Sequence, residues 1–179
     1  MRANAEMSAL FEAVEHIARE EDVQDPFRAI VRAGWTSEGD AQLLSALHSG
    51  YSGTPLADFG DVIHYEATVN GRGMVDYDIP ESDPERHETL LRRSLGYACT
   101  ALLAVPESHP WPMSGYVSLS KGGLEDDLLT AHVTFGSERP GLPRYVEDMD
   151  SYRHEALLEV SQDDARTLLR RPGTRSRRG

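Results

Sequence analysis

The sequence predicts an α+β domain in which an antiparallel sheet of about five strands packs on one long central helix, with a helical segment at the N-terminus. Three observations carry this. Residues 62–79 and 117–135 each alternate apolar and polar side chains around a glycine-containing turn, and each reads as a β-hairpin. Between them, "SDPERHETLLRRSLGYACTALLAVP" has the spacing and punctuation of a long helix. Finally, "EALLEVS" supplies a C-terminal strand. The 179 residues suffice for one buried core, assigned to residues 1–165, with 1–56 as the helical segment and 57–165 as a hairpin-helix-hairpin core.

In chain order, Met7, Leu10, Phe11, Val14 and Ile17 fall at helical spacing and leave Glu12, Glu15 and Arg19 outside. A second helix begins at Asp25 as cap, takes Pro26 in its first turn, buries Phe27, Ile30 and Val31, and stops at Gly34. A third is predicted from about Asp40 to His48, with Leu43, Leu44 and Leu47 inward. The stretch "HSGYSGTPLADFGD" then breaks all regularity.

In the first hairpin Ile63, Tyr65, Ala67 and Val69 are answered by Val75, Tyr77 and Ile79 on the return strand. Only an odd-with-odd register keeps both apolar sets on one face, and Gly71 or Gly73 provides the left-handed residue of a three-residue loop. The opposite face then gathers His64, Glu66, Asp76 and Asp78. The long helix follows, with Asp83 as cap, Pro84 in its first turn, Glu85 and Glu88 against the dipole, and Pro106 as its end. Its buried stripe is Leu91, Leu95, Ala98, Leu102 and Val105, with Cys99 beside it as core filler.

A proline-framed connector, "PESHPWPMSG", presents His109 and Trp111, the latter either an interface anchor or a lid folded over the core. In the second hairpin Val117, Leu119, Leu129, Ala131, Val133 and Phe135 face inward, while Ser118, Ser120, Thr130, His132 and Thr134 face outward, with "KGGLEDD" as the turn. A last helix runs from Ser161 through Leu168 and Leu169. Residues 166–179 comprise its end and an arginine-rich tail expected to be disordered.

Charge narrows the function classes. The formal net charge is −12, yet the last fourteen residues hold six arginines and no acid, so the preceding body sets thirty acids against twelve bases. Such a body repels nucleic-acid phosphates and suits basic surfaces, cationic ligands or metal ions. No apolar run approaches a bilayer's thickness, and the start lacks the apolar stretch of a signal peptide, so a cytoplasmic protein with no membrane association is expected. One cysteine excludes internal disulfides and multi-cysteine metal knuckles.

Catalytic signatures fail on inspection. "HYE" has the His-x-Glu of zinc deaminases without their Pro-Cys-x-x-Cys, and "HETLL" lacks the second histidine of a zincin helix. "GYSGT" is not a nucleophile elbow, "DYDIPE" is not a calcium loop, and no glycine-rich phosphate loop carries a lysine. No motif calls for a cofactor.

The candidate binding residues are therefore His64, Glu66, Asp76, Asp78 and Trp111. The four hairpin residues read as a solvated face, as ligands for Mn²⁺, Mg²⁺ or Zn²⁺, or as a docking patch for guanidinium groups. The leading expectation is an acidic, non-catalytic interaction protein that docks a basic protein surface. The alternative is a small enzyme or ligand-binding protein whose sheet-helix pocket uses His64 or His132 with a nearby carboxylate. In its catalytic form His132 would act as base toward Ser118 or Ser120.

Overall fold

The computed structural model describes residues 1–12, 18–121 and 128–170. The fold is α+β: a five-stranded antiparallel sheet of order β1-β8-β6-β7-β5 with a long helix, α5 (Arg86–Leu103), on its inner face. Its centre is the second hairpin as predicted, β6 (Met113–Lys121) with β7 (Leu129–Ser137), in a register that sets Ser118 opposite His132 and Val117 opposite Val133. β8 (Ala156–Ser161) pairs with β6, and the two-residue β1 (Arg2–Ala3) closes that edge. β5 (Arg72–Val75) closes the other.

The inner face and α5 make the main core. Leu91, Leu95, Ala98 and Leu102 are buried against Val117, Val133, Phe135 and Leu158, as the helical stripe requires. Cys99 is fully buried among them, and burial pushes its thiol up to about 12. The helix begins at Arg86 rather than at the expected Asp83 cap, because residues 80–85 form turns in which Asp83 accepts the Glu85 N–H.

Around this core lie α1 (Ala5–Glu12), β2 (Ala18–Arg19), α2 (Asp25–Ala33) and a small hairpin of β3 (Trp35–Glu38) with β4 (Ala41–Leu44). The short α3 (Ser45–Ser49) follows directly. The continuation of the first helix through Val14 and Ile17, the "KGGLEDD" turn and the arginine tail lie outside the described residues. α2 stops where predicted, at Gly34 with φ 73°. The helix expected over Asp40–His48 is half strand, because Gly39, at φ 56°, turns the chain back on β3 and Ala41–Leu44 is buried on both faces.

The first hairpin is corrected more deeply. Residues Val62–Val69 are a helix, α4, and only Arg72–Val75 enters the sheet. Asp61 caps α4 by accepting the His64 N–H, a start signal within the apparent loop. The apolar alternation arises because α4 is buried on two sides. Tyr65 and Val69, four apart, join Ala41 and Leu43, while Ile63 and Ala67, also four apart, meet Gly136 and Thr134 of β7. Two overlapping helical stripes read together as a period of two.

α6 (Gln162–Leu168) closes the fold, with Ser161 and Asp164 forming a capping box. β9 (Leu169–Arg170) then runs parallel to β2 beside α5. This seam is tight: a Cβ on Gly96 would stand 2.8 Å from the carbonyl oxygen of Arg19. Gly96→Ala must therefore lose about 1–3 kcal/mol of unfolding free energy despite its better helix propensity. Urea titration checks this, and an equal or higher stability contradicts the packing.

Candidate functional site

The five sequence-predicted binding residues do not share a face. Glu66, on α4, is fully buried. One carboxylate oxygen accepts from the Gln42 backbone N–H at 2.9 Å and from Arg139 at 2.7 Å; the other accepts from the Ser137 N–H at 2.7 Å. Arg139 also stands over the ring of Trp111, its guanidinium carbon 5.6 Å from the centroid. Glu66 and Trp111 are thus joined through one arginine, with Trp111 half-buried and its backbone held by the Gln42 side chain.

Asp76 and Asp78 sit past β5 and face the first turns of α5. Asp76, 2% exposed, is paired with Arg86. Asp78 accepts two hydrogen bonds from Arg93, at 2.9 and 2.7 Å, and this pairing holds its carboxyl below the usual range. His64 is exposed, its Nδ1 2.8 Å from the Asp61 carboxylate. The expected acidic face is therefore replaced by three separate guanidinium pairs and a histidine bound to the Asp61 cap. Among the described residues no group of three or more His, Cys, Asp or Glu side chains is placed to hold a metal ion.

The outward face of the second hairpin does form a concave site. α4 covers one side of it, where Thr134 donates to the Ala67 carbonyl. The segment 145–152 covers the other, burying Val146 and Met149 against Tyr116 and Leu157. Between them is a cleft of about 340 Å³, lined by Tyr116, Ser118, His132, Tyr145, Tyr152 and Glu155 among others. The two hydroxyls and the imidazole come from alternate positions of β6 and β7, which is why they share one face.

The electrostatics of the cleft are unusual for this chain. Its acid, Glu155, makes no side-chain ion pair or hydrogen bond among the described residues, whereas Glu159 nearby is held by Arg2 at 2.9 Å and Arg144 at 2.6 Å. Tyr116 and Tyr145 meet edge to face at 5.1 Å, and His64 stands 5.6 Å from Tyr145. Burial, then the nearby Tyr152 and Glu155, raises the Tyr145 hydroxyl, so it remains a neutral donor. Desolvation lowers His132 from its ordinary 6.5, Glu155 acting in the opposite sense, and leaves the imidazole neutral at pH 7. Its ring closes over Gly71, where an added Cβ would be 3.0 Å from Nε2.

His132 and Ser118 are cross-strand neighbours without a hydrogen bond between them, and Ser120 bonds Thr130 at 3.0 Å. The geometry offers a neutral acceptor, hydroxyls, aromatic faces and one carboxylate. Sequence reasoning placed Ser118, Ser120 and His132 on this face and missed Tyr116, Tyr145, Tyr152 and Glu155. Tyr116 was legible as an outward position of β6; the other three arrive from an irregular segment with no periodic signal. No family model, curated protein or solved structure matches the chain.

The contrast between the acids is measurable. Glu66→Gln strands Arg139 without its buried partner and must destabilise by about 3–5 kcal/mol. Asp78→Asn, at an exposed pair, must change stability by no more than about 1 kcal/mol. Denaturant titration of both variants checks the ranking, and equal effects contradict it.

Proposed function

We propose that the protein binds a small organic cation in the cleft between α4, the sheet and the segment 145–152, as a ligand-binding protein using His132 with a nearby carboxylate. The observation that carries the reading is Glu155: the one acid of the cleft lining, set among tyrosines and without a guanidinium partner among the described residues, whereas the buried acids Glu66 and Glu159 are paired. A carboxylate supplies the counter-charge, and tyrosine faces attract a cation through their quadrupoles. Ser118 and the neutral His132 add acceptor lone pairs that suit a positively charged headgroup. A cavity of about 340 Å³ lies at the small end of ligand sites and suits a molecule the size of a substituted amine. The acidic body favours the same sign of ligand.

A second reading, an acidic cytoplasmic adaptor that docks a basic protein, is supported by the net charge of −12. It has no geometric counterpart at His64, Glu66, Asp76 and Asp78, because three of the four are paired internally.

Calorimetric titration with benzyltrimethylammonium and with its neutral isostere neopentylbenzene tests the proposal. Only the cation should bind, and Glu155→Gln should weaken it about tenfold or more. Affinity should be flat above about pH 6.5 and fall at lower pH as His132 takes up a proton and repels the ligand; His132→Asn should flatten that fall. Equal binding of cation and isostere, binding indifferent to Glu155→Gln, or no binding overturns it.

A further inference from the structure

The sheet ends at β5, four residues long, whose outer edge pairs with no strand among the described residues. Natural sheets blunt such edges with prolines, lysines or covering elements. Here the edge reads Arg72-Gly73-Met74-Val75, and beyond it Tyr77 is 77% exposed. A groove of about 800 Å³ runs beside it, bordered by Phe27 and Ile30 of α2, Leu47 of α3, and Arg72, Val75 and Tyr77.

Two polar groups near this groove lack partners among the described residues. Arg72 is exposed and makes no ion pair or hydrogen bond with any of them, unlike Arg86, Arg93, Arg139 and Arg144. Behind it Tyr97 is fully buried, with its ring 5.0 Å from Phe27, and its hydroxyl has no hydrogen-bond partner among the described residues. Arg72 is near enough to act on that hydroxyl electrostatically. Of the two, the exposed Arg72 is the one a docking segment can reach, and it calls for an acceptor.

The geometry points to β5 as a docking edge for an extended segment of a partner protein, which adds as a sixth strand, sets an apolar side chain into the groove over Phe27 and Ile30, and places one carboxylate on Arg72. Backbone pairing along the edge gives such a complex its affinity, and the groove and Arg72 give it selectivity. The segment carries a single acid rather than many, because the body's net negative charge opposes a polyanion while screening confines attraction to Arg72. This surface is built from α2, α3 and β5, none of which lines the amine cleft, so either site can fail alone.

Phage display of random heptapeptides on the intact protein tests the assignment, with recovered peptides measured by fluorescence polarisation. Expected winners alternate apolar residues and carry one Asp or Glu. Arg72→Glu should weaken them about tenfold or more, and replacing the peptide's acid by lysine should restore binding to that variant. N-methylation at alternate peptide nitrogens should abolish binding, and Tyr77→Ala, at an exposed position, should weaken it should Arg72→Glu fail to fold. Benzyltrimethylammonium binding should persist in both variants. No enriched peptide, or winners indifferent to Arg72→Glu, to Tyr77→Ala and to N-methylation, overturns the proposal. A dimer dispersed by Arg72→Glu that excludes peptides also overturns it, making a second copy the occupant.

Discussion

The buried carboxylate of Glu66 is the constraint on which the arrangement of the helices and sheet depends. A carboxylate removed from water is tolerated only when donors replace the water, and here two segments supply three: the Gln42 amide of β4, and the Ser137 amide and Arg139 guanidinium at and just past the end of β7. One turn further along, Asn70 repeats the pattern, accepting from the Leu44 N–H at 2.8 Å and donating to the carbonyls of Gln42 and Phe135. Together they lock α4 to β4 and to the end of β7. Because α4 is held there, Gly71 lies under His132, whose imidazole lines the tyrosine cleft.

Pairing of charge within the chain follows the same logic elsewhere. Asp76, Asp78 and Glu159 each meet arginine, so a formal charge of −12 does not translate into a continuous acidic face at these positions. In the cleft a ligand meets Glu155, which has no such partner among the described residues, beside aromatic rings and a neutral imidazole. At the β5 edge Arg72 likewise has none among them.

The class of the fold was legible because its signals are local and redundant. Residues 117–120 and 129–132 alternate between buried and more exposed positions, and α5 carries a single apolar stripe, so one period accounts for each. α4 was misread for the opposite reason. Burial of Ile63 and Ala67 on one side and Tyr65 and Val69 on the other superimposes two stripes, and only the Asp61 cap distinguishes the result from a strand. The site was half legible. Ser118 and His132 follow from strand parity, whereas Glu155 and Tyr152 reach the cleft through a fold-dependent return of the chain that no spacing encodes. Glu66 reads in sequence as one of four polar residues on a hairpin face, whereas in the fold its carboxylate meets a partner within the molecule, Arg139, far along the sequence.

Amide hydrogen exchange at Gln42 and Ser137 tests the central claim most directly, because those N–H groups are bound only if the Glu66 carboxylate holds α4 in place. Both lie at strand ends beside loops, where exchange is ordinarily fast. The account predicts that they exchange in the slowest class, opening only with global unfolding. Exchange of either amide at the rate of a surface loop, with the α5 core still protected, contradicts it.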